Sequence, residues 1–340
     1  MTAIDPSLSL PLAFSLEAFT DLDFWSGVGV IAGTYALVAL GLQMNVGYTG
    51  IVNFGQAAFM AVGAYTMAIL VLKAGFSFWL SLPIAVLVAM AFGVLVGLPS
   101  LRLRADYFAI ATIAMAEVVR IFAQNARDLT GGQQGLFCEN VDGEYTCYDE
   151  SWLSVSDSIQ GFVDNFWSDP ASLFPLLIVV WVTVVIATVA LNYFQNTPWG
   201  RVLRAIREDE DAARALGKNT LLYKLQSLAI AALLGALAGF FLALNLATIH
   251  PADFEPLVTF FAYGVLILGG LANYKGIAIG AIILWALLEG TRFVELPDPP
   301  FTEERIAALR FAIVGVILIG VMAFRPQGIF GKREEMVLGE

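Results

Sequence analysis

"LQSLAIAALLGALAGFFLALNLA", residues 225–247, carries no charged side chain. Roughly 20 apolar residues cross a hydrocarbon core of about 30 Å as a helix, so this stretch reads as a membrane span. The rest of the chain repeats it. Comparable runs lie at about 26–44, 53–72, 80–99, 106–125, 172–194, 257–273, 276–294 and 306–324. Of the 340 residues, 59% are hydrophobic and 14% charged, against about a quarter charged in soluble domains. The mean hydropathy is +0.77, and no soluble fold hides so much apolar surface. The expected fold is an all-α polytopic membrane protein with about nine transmembrane helices, within a range of eight to ten.

Two regions depart from simple spans. Residues 43–56, "QMNVGYTGIVNFGQ", interleave glycines at 47, 50 and 55 with the amides Gln43, Asn45, Asn53 and Gln56. They read either as a break between two spans or as a re-entrant turn. Residues 257–273 and 276–294 are separated by almost nothing, so broken or re-entrant helices are expected there too.

Lys and Arg set the orientation. Twelve of the eighteen are Arg102 and Arg104, the six from Arg201 to Lys224, Lys275, and Arg325, Lys332 and Arg333. With nine spans all of these share one side, which is therefore expected to be cytoplasmic. Nineteen of the twenty-nine acids collect on the other side: four before residue 25, nine from Asp128 to Asp169, Asp253 with Glu255, and four from Glu295 to Glu304. The organisation expected is an acidic extracytoplasmic segment 1–25, a transmembrane domain 26–324 and a cytoplasmic tail 325–340. Within the domain, 126–171 forms an outer loop and 195–224 a cytoplasmic one. The first residues lack the basic stretch of a signal peptide, so the first span is expected to direct insertion.

Cys138 and Cys147 both fall in the outer loop, where disulfides persist. The Asp142–Gly143 pair between them is a turn signal that lets the chain double back, so a disulfide is expected; free thiols in a flexible loop are the alternative. His250 is the chain's one histidine and lies far away in sequence, so no metal site is expected.

Residues 197–219, "TPWGRVLRAIREDEDAARALGKN", are dense in charge. Thr197 and Pro198 suit the start of a helix. Trp199, Val202, Leu203 and Ile206 share one face and Arg201, Arg204 and Arg207 another, the pattern of a helix lying on a membrane surface with its apolar face in lipid. A second short helix is expected to follow, stopped by Gly217. Ala212, Ala213 and Leu216 give it a small apolar patch suited to a groove on a partner. A solvated loop that merely carries positive charge is the plain alternative.

The string "DAARALG", Asp211 to Gly217, resembles the E-A-A-x-x-x-G signature of permease subunits in bacterial ABC importers, with Asp211 in place of Glu. Further stretches resemble the permeases of branched-chain and neutral amino-acid importers, the second of the two paired subunits in particular. They are "GYTGIVNFGQAAFMAVGAY" (47–65), "LRLRADYFAIATIAMAEVVR" (101–120), "LTGGQQGL" (129–136), "GRVLRAIREDEDAARALG" (200–217), "LGGLANYKG" (268–276) and "RPQGIFGKR" (325–333). The related urea permeases share much of this pattern. The resemblance implies an ABC importer permease fold, a sister permease, two ATP-binding subunits and an extracytoplasmic solute-binding protein. It also implies that Asp211, Ala212, Ala213, Leu216 and Gly217 form the coupling helix that docks on an ATPase subunit. "ALGKNT" (215–220) departs from a phosphate loop, having Ala212 at the upstream glycine position and no hydroxyl residue directly after Lys218. ATP and magnesium are thus expected on partner subunits, with no cofactor on this chain. Membrane lipid and an amino acid are the other expected partners, and no nucleic acid.

Two sets of residues are candidates for the transport pathway. Glu117 with Arg120 and Glu289 with Arg292 are i,i+3 pairs inside spans, where ionisable groups are costly and often functional. Each pair is also able to neutralise itself. Thr49, Asn53 and Gln56 belong to the glycine-rich break, where irregular backbone is tolerated only inside protein or along a cavity; helix packing through small residues is the alternative. An ion-coupled secondary transporter is the competing class. It is disfavoured because the few acids within the spans are each offset by an arginine. An intramembrane enzyme finds no support, since no HExxH, Ser/Lys or paired-Asp constellation is present.

Overall fold

The computed structural model describes residues 22–101, 103, 105–137, 139–141, 144–146, 150–163, 173–271, 273–290, 303–325, 328–329 and 331. Helices occupy all nine apolar runs: α1 (Leu22–Leu42), α2 (Gln56–Leu72), α3 (Phe78–Ser100), α4 (Ala105–Asn125), α6 (Phe174–Gln195), α9 (Thr220–Leu246), α10 (Pro256–Gly269), α11 (Tyr274–Gly290) and α12 (Glu303–Phe324). Outside the runs lie α5 (Glu150–Val163), α7 (Pro198–Glu208) and α8 (Glu210–Ala215). The one departure from an all-α fold among the described residues is a small antiparallel hairpin, β1 (Glu139–Val141) with β2 (Glu144–Thr146), in register Glu139 to Thr146. The chain thus doubles back between Cys138 and Cys147, and the two cysteines themselves lie outside the described residues.

Nine helices do not amount to nine unaided crossings. Leu22–Tyr48, α3, α6 and α9 are long and apolar enough to cross a membrane, and a fifth span is added if α10 and α11 count as one bent helix. Four of the other five differ from these in identifiable ways. α2 has 17 residues, or about 25 Å of helix, and α10 has only 14. α4 carries Asp106, Glu117 and Arg120. α10 and α11 meet at a 117° bend.

Burial divides these helices into a centre and a rim. In the most apolar stretch of Leu22–Tyr48, 83% of residues are buried, and in that of α9 72%, against 33% for α3 and 28% for α6. α9 packs on α1, α2 and α3, and α1 also carries α6, α10 and α11. The exposed faces of the rim are apolar, with Leu87 and Leu95 on α3 and Val185, Ile186 and Val189 on α6. That is the pattern of a bundle solvated by lipid rather than water.

Small residues allow the central helices to approach closely. A Cβ added at Gly63 of α2 would stand 2.5 Å from the Ala236 Cα, and one at Gly239 of α9 2.1 Å from the Met60 carbonyl oxygen. The seam between α2 and α9 therefore leaves no space for side chains at these points.

Loops from distant parts of the sequence gather in two groups. Lys73 Nζ donates to the Asp128 carbonyl, and Leu136 bridges Ile249. In the other group, Tyr48 donates to Gln195 and stacks on Tyr274 at 5.1 Å, while Ile329 N–H donates to the Leu268 carbonyl at 3.0 Å. The first group joins loops read as acidic and outer, the second loops read as basic and inner.

Candidate functional site: a buried break and the helix pair beside it

The chain does break at 43–56. α1 runs on through a π-helical turn, Gln43–Tyr48, and after Thr49 no regular structure forms until Gln56. Gly50 sits at φ +70°, a left-handed conformation that favours glycine.

Unpaired backbone groups at membrane depth cost several kcal/mol each, so such a break survives only if protein supplies the partners. Here they come from four other helices. The Thr49 hydroxyl donates to the Met44 and Asn45 carbonyls at 3.0 and 2.7 Å, and Ile51 N–H also reaches Asn45 O, at 2.8 Å. Ser227 of α9 lies 3.1 Å from the Thr49 oxygen, 3.0 Å from Met44 O and 3.0 Å from Asn45 Oδ1. Phe54 N–H donates to Thr112 Oγ1 of α4, and Ala57 N–H to Thr259 Oγ1 of α10. Tyr263 of α10 donates its hydroxyl to the Asn53 carbonyl at 3.0 Å. Arg207 of α7 donates through Nη1 to the Gly47 carbonyl at 2.5 Å.

The three predicted break residues are all buried. Gln56 Nε2 donates to the Ala231 carbonyl at 2.8 Å, and Asn53 Oδ1 accepts from Gly55 N–H at 2.8 Å. Their hydrogen bonds serve the fold. Thr49 alone of the three borders a large space, a cavity of about 910 Å³ whose walls include Gly50, Phe108, Arg207, Glu210 and Lys224. Ser227, Thr112, Thr259 and Tyr263 were not singled out from sequence. The available signal was a hydroxyl inside an otherwise apolar helix.

Glu117 and Arg120 close on each other, with Nε to Oε2 at 2.9 Å and Nη2 to Oε1 at 2.5 Å. The pair is self-neutralised, the second of the two readings offered by its spacing. Glu289 is half-buried in the last turn of α11. Arg292 lies outside the described residues.

The charged segment forms two helices hinged at Asp209, whose backbone is extended (φ −154°, ψ 104°) and whose carboxylate caps α8 by accepting from Ala212 N–H at 2.9 Å. Gly217 ends α8 at φ +77°, as expected. Thr197 stands at the N-cap of α7, but its hydroxyl donates back to the Phe194 carbonyl. α7 differs from the lipid-bound helix anticipated. Leu203 and Ile206 are buried in protein, and Arg204 donates to the Gln195 carbonyl at 2.8 Å. The apolar patch on α8 also differs: Ala213 turns inward at 4% exposure, leaving Ala212 and Leu216, the latter 81% exposed.

Glu210 joins α8 to α9. It accepts from Thr220 at 2.9 Å and Lys224 at 2.5 Å, and from Arg214 of its own helix at 3.0 Å. Burial pushes its carboxyl pKa upward, but the Lys224 and Thr220 hydrogen bonds, with the charges of Lys224 and Arg214, outweigh that and hold it below the ordinary carboxylate value.

These features define a multi-pass helical membrane protein with a non-helical break at its centre and a capped helix pair touching that break. The chain belongs to the family described as branched-chain amino acid transport system / permease component, whose profile matches residues 26–322. It is 31% identical over 308 residues to the high-affinity branched-chain amino acid transport system permease protein LivM of Escherichia coli K12, covering 89% of this chain and 69% of that one. The probable LivM of Methanocaldococcus jannaschii is 27% identical, covering 92% and 94% of the two chains. The LivH permease protein of Salmonella typhimurium is 28% identical, covering 90% and 94%. No solved structure matches the chain.

Proposed function

We propose that this chain is one of two unlike permease subunits of an ATP-driven importer of branched-chain or other neutral amino acids. It lies in a bacterial-type inner membrane, N-terminus outside and C-terminus in the cytoplasm. The sister permease completes the pathway, two further subunits bind ATP and magnesium, and an extracytoplasmic binding protein delivers the amino acid. Membership of the permease family supports this reading, and so does the segregation of basic residues. The observation that carries it is the exposed Leu216 on a short, capped helix whose neighbour, α7, touches the central break. An apolar side chain presented in this way fits a partner's groove, and closure of the ATPase pair would move it.

Leu216 is a better probe of docking than Ala213, where a charged residue would enter the interior. Burying a Leu side chain is worth about 1.5–3 kcal/mol, so Leu216→Asp should weaken ATPase co-purification by roughly ten- to a hundredfold while the permease still inserts. Undiminished co-purification would remove the docking role. In proteoliposomes holding all subunits, labelled leucine should enter only with ATP. Uptake driven by an ion gradient without ATPase subunits would overturn the reading in favour of a secondary transporter.

A further inference from the structure

We infer that Arg207 is the strut through which the α7–α8 segment moves the central break, a positioning residue for transport that acts without touching substrate. The inference rests on the docking role proposed above for α8. Arg207 lies near the end of α7, just before the hinge at Asp209. Its guanidinium holds the Gly47 carbonyl at 2.5 Å, and its Cγ lies 3.3 Å from where a Cβ would stand on Gly50. The side chain thus bonds the break at Gly47 and passes beside it at Gly50, on either side of Tyr48 and Thr49.

The segment that carries Arg207 is held to the bundle at defined points on both sides of its hinge. Leu203 and Ile206 anchor α7, and Glu210 ties α8 to Thr220 and Lys224 of α9. The break, by contrast, has somewhere to go. The cavity of about 910 Å³ lies between Thr49–Val52 and the charged side chains of α7, α8 and α9. Inside the break, Asn45 Nδ2 is buried without a hydrogen-bond partner, so a second arrangement could satisfy a donor that this one does not. Two alternative arrangements of one element, biased from a distant surface, are what a transmitted motion requires.

The test uses the assembled complex in proteoliposomes. Arg207→Met keeps the length of the side chain and removes its donors; Arg207→Lys keeps a charge without the planar fork. Arg207→Met should retain the ATPase subunits and their hydrolysis while uptake per ATP falls about tenfold or more, and Arg207→Lys should recover part of it. Paired spin labels at Glu208 and Leu103, and at Val52 and Leu103, separate the two movements. With Arg207 present, ATP should change both distances; in Arg207→Met only the first should change. Unchanged uptake per ATP, or a Val52 distance that still responds, overturns the inference. So does loss of the ATPase subunits from Arg207→Met, which would make Arg207 a support for docking alone. Leu216→Asp keeps the two ideas apart: if it sheds the ATPase subunits while Arg207→Met behaves as wild type, the strut fails and the docking site stands.

Discussion

Gly239 shows how little room a single position leaves. A side chain there would press on the Met60 carbonyl, which is backbone and cannot rotate away. Overpacking a tight core costs about 1–3 kcal/mol when side chains can yield, and more when they cannot. Gly239→Val is therefore expected to reduce the yield of folded protein several-fold and to lower its thermal midpoint in detergent, as read by size-exclusion and melting curves. A wild-type melting curve would mean that α2 and α9 separate more easily than their contact suggests. Residues such as Asn53 and Gln56 were conspicuous in the sequence because amides are rare in apolar runs. The partners they find were not conspicuous, because the Ala231 carbonyl is a main-chain group with no signature of its own.

At the scale of elements, the pattern on α7 foretold a buried apolar face but could not say what covers it. Lipid and protein demand the same spacing of Leu203 and Ile206. The packing of α7 on α6, α9 and the turn at Gln43–Tyr48 decides it, and the Arg207–Gly47 bond there spans some 160 positions. α8 was more legible, since Asp209, the acids after it and Gly217 are local signals. Its attachment to α9 carries a pH dependence. The folded carboxyl of Glu210 lies below its ordinary value, so it stabilises above the unfolded range, about pH 4–4.5, and loses this as pH falls through the folded value. Protection of 210–224 against hydrogen exchange, taken relative to the intrinsic rate at each pH, should be high at neutral pH and fall below about pH 4. Glu210→Gln should exchange faster than wild type at neutral pH and match it in acid. A gap that persists in acid would assign the effect to packing instead.

Across the whole molecule, the nine apolar runs and the break were readable because hydropathy is a local property. The number of crossings was not, because α10 and α11 are too short to cross unaided and lie at 117° to each other. Orientation can be measured directly. In a chain whose native cysteines are replaced by serine, single cysteines at Asp157 and Glu255 should react with an impermeant maleimide on intact cells. Those at Lys218 and Lys275 should react only after permeabilisation. The reverse would invert the molecule, and labelling of Glu255 and Lys275 from the same side would mean that α10 does not cross the membrane.

The hydrogen bonds that close the break have a consequence for biogenesis. Residues 49–57 leave the ribosome long before Ser227, Ala231, Thr259 and Tyr263, with which Thr49, Gln56, Ala57 and Asn53 pair. Synthesis at about 5–20 residues per second puts roughly 10–40 s between the end of the break and the completion of α9. Through that interval the nascent chain holds unsheltered amides and carbonyls between two inserted helices. The expectation is that α1 and α2 stay beside the translocon until α9 and α10 arrive, so that partitioning into lipid is collective rather than helix by helix.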